Sequence, residues 1–219
     1  FIGQVCCFLA MRLGDVTVLT PVLGVKVVFV AIFTSLFVAG ALPWTTWVAC
    51  LLAAGAVFLL GMSHWHDRRR LLGTVALGMA TAAMFGRCDL IFQVHAHELG
   101  ALPFASVMMA AVMVESLALM PFFRQPLRAI PLGARPWAWW GSFLSAAQSA
   151  GMAWTLGHHG EAARVNVVYS TRGLWSILLV WAAGPWFGNQ EREAGAGVMA
   201  RRLAGALLLL VAVGLVLEK

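Results

Sequence analysis

Apolar blocks of about 17–25 residues recur along this chain, the length a helix needs to cross the hydrocarbon core of a bilayer. In lipid, every backbone N–H and C=O must be satisfied internally, which leaves helices or a closed barrel. Ten-residue alternating segments separated by turns are absent, which argues against a barrel. The 219 residues are 61% hydrophobic and 11% charged, whereas a soluble domain is roughly 45–50% apolar and about 25% charged. The expected fold class is therefore all-α, a polytopic membrane protein.

The spacing predicts a partial helix over about 1–12 and spans over about 16–39, 45–62, 71–95, 101–122, 136–157, 162–184 and 199–217. The breaks are Leu42-Pro43-Trp44, the linker Ser63 to Arg70 (SHWHDRRR), the stretch Arg124 to Pro136, and Pro185 to Val198. The third carries prolines that cannot stay helical throughout. Trp44, Trp47, Trp65, Trp137, Trp139, Trp140 and Trp186 fall near expected helix ends, as an interfacial aromatic belt requires. Residues 1–11 read as the tail of a helix already under way, without a basic n-region or cleavage site, so the sequence is expected to begin inside a longer protein. Cys6, Cys7, Cys50 and Cys88 lie in apolar segments without metal-ligand spacing and read as reduced core residues.

Within the apolar runs, one pattern occurs twice. Gly14, Asp15 and Lys26 are matched by Gly160, Glu161 and Arg172 at a constant offset of 146 residues. At this offset residues 1–38 fall on 147–184; the next helices correspond through Gly55 and Gly214 with a longer connection between. The second half has two further spans, 71–95 and 101–122, with no first-half counterpart in this sequence. The organisation expected is two inverted repeats of five helices, the first half truncated. Residues 1–62 form the C-terminal part of the first repeat, 63–70 the linker, and 71–219 the second repeat. An odd number of spans per repeat forces opposite orientations, the plan of many secondary transporters.

A cation at the centre of a spanning helix costs about 2.5–3.5 kcal/mol on insertion scales. Lys26 and Arg172 each lie about ten residues, roughly 15 Å, from either end of their spans. A lysine stem is too short to reach the surface from there. Either the cations hold an anionic ligand in a central cavity, or carboxylates close them to lock helices together. Asn166, Tyr169, Ser170 and Ser176 form a polar stripe beside Arg172, with Gly173 leaving room; such a stripe serves ligand binding or helix packing alike. Asp89 and Gln93 share a face, and Glu115 lies deep in its span. Asp89 and Glu115 are candidate counter-ions or coupling-proton carriers, the two roles left open.

The net charge of +6 implies no nucleic acid, because most basic residues sit in short loops where the positive-inside bias puts them. That bias makes the face bearing Arg68, Arg69 and Arg70 cytoplasmic. His64 with His66, His95 with His97, and His158 with His159 lack the accompanying ligands of a zinc site. No hydrolytic or nucleotide-binding motif occurs. No metal or cofactor is expected.

The span, short turn and span that end each half read TPVLGVKVVFVAIFTSLFVAGALPWTTWVACLLAAGAVFLLG in the first copy. The second copy reads VYSTRGLWSILLVWAAGPWFG, then RRLAGALLLLVAVGLVL. In these segments, their glycines and Pro21, the chain resembles the EamA-type transporters of the drug/metabolite transporter superfamily. The resemblance implies ten helices in two inverted halves around a central cavity, moving small metabolites without nucleotide hydrolysis. Two departures accompany it: Gly40 to Thr46 lacks the Glu common in the family, with Glu191 or Glu193 the only candidates in the second half, and the loop charges favour the opposite orientation.

The function expected is secondary transport of a small anionic or zwitterionic metabolite by alternating access. Lys26, Arg172, Tyr169, Asn166, Ser170 and Gln93 would contact the substrate, with Asp89 and Glu115 as coupling or counter-ion groups. Partners are then the substrate and the lipid bilayer, with a homodimer left open, and the location is the bacterial inner (plasma) membrane. The alternatives are a membrane enzyme on a lipid-linked substrate, using Asp89, Glu115 and the histidines, and a non-catalytic membrane subunit.

Overall fold

The structure, a computed structural model, describes residues 1–13, 19, 22–38, 42–61, 68–122, 130–172, 174–175, 178 and 196–217. Among them the chain is all-helical, without a strand. The helices are α1 (Ile2–Leu13), α2 (Lys26–Phe37), α3 (Trp44–Gly61), α4 (Arg68–Leu99), α5 (Ala101–Ala118), α6 (Arg135–His159), α7 (Ala162–Tyr169) and α8 (Ala196–Leu217). Two helical stretches, Leu72–Ala96 and Ala101–Phe122, are long and apolar enough to cross a membrane; Ile2–Leu13, Val22–Phe37, Trp44–Leu60 and Leu203–Leu217 are shorter apolar helices. Gly14, Asp15, Pro21, Gly40, Gly173, Ser176, Glu191, Glu193, His64, His66 and much of the three longer linkers lie outside the described residues.

The helices form two compact units, divided inside α4. One comprises Ile2–Leu90 and Ala162–Lys219. Within it α3 packs extensively against α8. Ala49, Ala53 and Ala56 on α3 and Leu209, Ala212 and Val216 on α8 are buried. Their three- and four-residue spacing puts each set on one helix face. Gly205 permits the close approach: a Cβ there would stand 2.9 Å from the Ala56 carbonyl oxygen and from Leu60 Cγ. Small residues at such a seam let two apolar helices associate by backbone proximity. The glycines matched between the repeats, Gly55 and Gly214, instead face open space.

Against this pair pack α2 and the short α7, which also touch each other. On α4, Gly86 meets α2 closely, a Cβ there falling 3.2 Å from Phe29 Cβ and 3.3 Å from the Val30 nitrogen. One turn earlier on α2 stands Lys26, and one turn later on α4 stands Asp89. Eight residues before Gly86, Gly78 likewise meets Val22, eight residues before Val30, so the two helices run parallel, and the long Lys26 side chain reaches Asp89 beside the Gly86 contact.

The other unit comprises Phe1 and Ile91–Glu161, with the end of α4, then α5 and α6. Gly100, at φ +86°, turns the chain from α4 into α5, a conformation a side chain rarely adopts. Phe104 meets Phe92 edge-on at 5.0 Å and His95 at 6.1 Å. No residue of α5 is buried, and on α6 only Ala153 and Leu156 are.

Candidate functional site

The spans drawn through Lys26 and Arg172 as continuous helices each contain a tightened turn. In the first, the Val25 N–H donates to the Val22 carbonyl (3.1 Å), Val28 to Val25 (2.9 Å), and Phe29 to Val25 (3.2 Å). In the second, Thr171 donates to Val168 (3.0 Å), Leu174 to Thr171 (2.9 Å), and Trp175 to Thr171 (3.2 Å). All three bonds recur at the 146-residue offset read from the sequence. The mix of i→i−3 and i→i−4 bonding marks a local 3₁₀ tightening, a frequent signature of a functional joint in a helix. In the second copy, hydroxyls reinforce it: Ser170 Oγ donates to the Asn166 carbonyl at 2.9 Å and Thr171 Oγ1 to the Val168 carbonyl at 2.7 Å. Each cation is the residue immediately after the tightened position.

Lys26 Nζ forms an ion pair with Asp89 Oδ2 at 2.7 Å, the side chains 16% and 10% exposed. Asn166 Nδ2 donates to the same Oδ2 at 2.7 Å and to the Ala162 carbonyl at 2.9 Å. One carboxylate oxygen thus accepts an ammonium from α2 and an amide from α7. Charge-assisted bonds of this kind are about twice as strong as neutral ones, which is what retains a charge away from water. Asn166 is fully buried, and its Oδ1 has no hydrogen-bond partner among the described residues.

Tyr169 lies one turn beyond Asn166 on α7, and its ring meets both cations. Lys26 Nζ is 5.5 Å from the ring centroid and Arg172 Cζ is 4.6 Å from it. The guanidinium also donates through Nη1 to the Tyr169 hydroxyl at 2.7 Å. Arg172 itself is exposed, and no carboxylate among the described residues lies within ion-pair distance of it. Among the described residues the site therefore holds one cation paired with a carboxylate and one that is not, with an aromatic face common to both.

Of the other expected site residues, Ser170 is buried, its hydroxyl serving its own helix. Gln93 is half-buried one turn past Asp89 on α4. Glu115 is exposed on α5, in the other compact unit. Arg87 is exposed while Asp89 is buried, as their two-residue separation requires. No group of three metal-ligating side chains occurs among the described residues. Thr34 is a residue the sequence reading passed over. It is buried, with Oγ1 unpartnered among the described residues, and follows Lys26 and Val30 at four-residue steps on one face of α2, a spacing that could have marked it.

No family model matches the sequence, and no curated protein matches it. A solved structure described as "Crystal structure of protein" is similar at a TM-score of 0.72 and 14% identity, covering 98% of this chain and 71% of that one. At that identity the likeness concerns the fold alone.

Proposed function

We propose that the protein is a polytopic membrane transporter of the drug/metabolite transporter kind, built from inverted repeats, which moves a small anionic or zwitterionic metabolite by alternating access. The observation that carries this is the pair of matched cations, each placed after the same tightened turn and both against the Tyr169 ring. Irregular turns within apolar helices are where secondary transporters build midplane sites. The membrane part rests on α5: an apolar helix of spanning length with no buried residue is the reverse of a soluble core helix, and in water it would present a large apolar patch.

In this mechanism Asp89 holds Lys26 until substrate binds, and Arg172 and the Tyr169 hydroxyl receive the substrate's negative group. Lys26 becomes a second contact when substrate draws it from Asp89. A purely structural brace would close both cations with carboxylates, whereas among the described residues Arg172 meets the Tyr169 phenol and no carboxylate. Reconstitution into proteoliposomes with counterflow of a panel of labelled carboxylate and phosphate metabolites tests the proposal. Lys26→Gln and Arg172→Gln should each lower exchange at least tenfold in folded protein. Wild-type rates in both variants, or no exchange of any panel member by the wild type, overturn it.

A further inference from the structure

Outside the cation site, the N-terminal part of α6 carries a groove of about 680 Å³ whose lining includes Ile130, Arg135, Trp139, Ser142 and Phe143. That volume is within the roughly 300–1,000 Å³ of small-molecule sites. Arg135, Trp139 and Phe143 follow at four-residue steps with Ser142 beside them, so one face of α6 forms the wall. The Trp139 and Phe143 rings lie parallel within 7°, centroids 6.0 Å apart, and Trp140 stands edge-on to both. Ile130 folds back over the first turn, its carbonyl accepting Arg135 Nε at 3.2 Å. A guanidinium is thereby fixed at one end of an aromatic slab.

We propose that this groove binds the headgroup of an anionic phospholipid, with the phosphate on Arg135 and Ser142 and the glycerol and upper acyl carbons along Trp139 and Phe143. The proposal rests on the membrane-spanning reading above. Charge identifies the occupant. Between Glu115 and Glu161 the sequence has Arg124, Arg128 and Arg135 and no acidic residue, so this part of the chain attracts a net negative headgroup and repels a quaternary ammonium. Arginine suits a phosphodiester because its planar fork binds two oxygens at once. Exposed tryptophans such as Trp137, Trp139 and Trp140, 56–68% accessible, belong at headgroup depth, where indole finds both apolar and polar neighbours. Basic pockets at that depth are recurrent lipid sites.

The test uses the full chain purified in mild detergent, mixed with equal amounts of dioleoylphosphatidylglycerol and dioleoylphosphatidylcholine, with retained lipid counted by native mass spectrometry. The wild type should keep phosphatidylglycerol at least threefold over phosphatidylcholine. Arg135→Gln should bring the two to parity, and Arg87→Gln, which removes an exposed arginine of α4, should leave the preference intact. Ser142→Leu, which fills the groove without altering charge, should abolish the preference even if Arg135→Gln fails to fold. Equal retention by the wild type, or an undiminished preference in Arg135→Gln or Ser142→Leu, overturns the proposal. Alkaline carbonate extraction of cell membranes separates the two levels. Release of the chain would overturn the membrane reading as well, while a retained chain indifferent to headgroup would overturn the lipid site alone.

Discussion

Lys26 and Arg172 occupy matching places after the same tightened turn, yet one is largely buried and paired while the other is exposed and rests on a phenol. The difference comes from Asp89. It belongs to α4, outside the matched stretches 1–38 and 147–184, and among the described residues it pairs with the first cation and not the second. Repetition sets where a backbone bends and where a charge is carried; the neighbour that meets the charge is set by helix packing.

The sharpest way to break this comparison is Asp89→Ala, which strands the Lys26 ammonium and an Asn166 donor together. Removing one partner of a buried pair costs about 3–5 kcal/mol, and unfolding in detergent should show a loss of that order. Arg172→Ala should leave the unfolding midpoint close to wild type, and equal losses in the two variants would erase the asymmetry. Replacing the pair by Lys26→Met with Asp89→Leu should recover most of the stability, because a packed apolar pair replaces two desolvated charges.

Next in size is Asn166→Ala, expected to lower stability by about 1–3 kcal/mol through the lost donor to Asp89. Ser170→Ala, one turn on, should do less, since that hydroxyl only back-bonds to its own helix. Gly205→Leu should cost about 1–3 kcal/mol by overpacking the α3–α8 seam, while Gly214→Leu, facing open space, leaves the same unfolding curve as wild type. The smallest effect belongs to Tyr169→Phe. It removes the Arg172 acceptor but keeps the ring, so about 0.5 kcal/mol is expected, together with slower exchange in proteoliposomes if the hydroxyl orients the guanidinium.

The helices were legible because apolar blocks of spanning length admit little else, and Lys26 and Arg172 stood out as charges inside such blocks. Asp89 was legible as a counter-ion, though equally so was Glu115, which the structure leaves exposed in the other unit. Periodicity places a carboxylate on a helix face; it does not say which helix that face meets. The tightened turns were hidden for a similar reason. Val25 is an ordinary apolar residue, and only the bonds around it distinguish its position. The glycines show the same limit: Gly55 and Gly214 align between the repeats, but Gly205 lies where the backbones meet, and crossing geometry decides that.

Gly86 carries no functional group, yet it works as a spacer gauge for the Lys26–Asp89 ion pair. Its missing side chain lets α4 lie against Phe29 and Val30, and the 2.7 Å charge contact forms one turn away. Lengthening the residue at position 86 in small steps, from alanine to valine to leucine, would wedge the two helices apart while leaving both charges chemically intact. The electrostatic coupling could then be graded mechanically, as distance, separately from the identity of the groups that carry it.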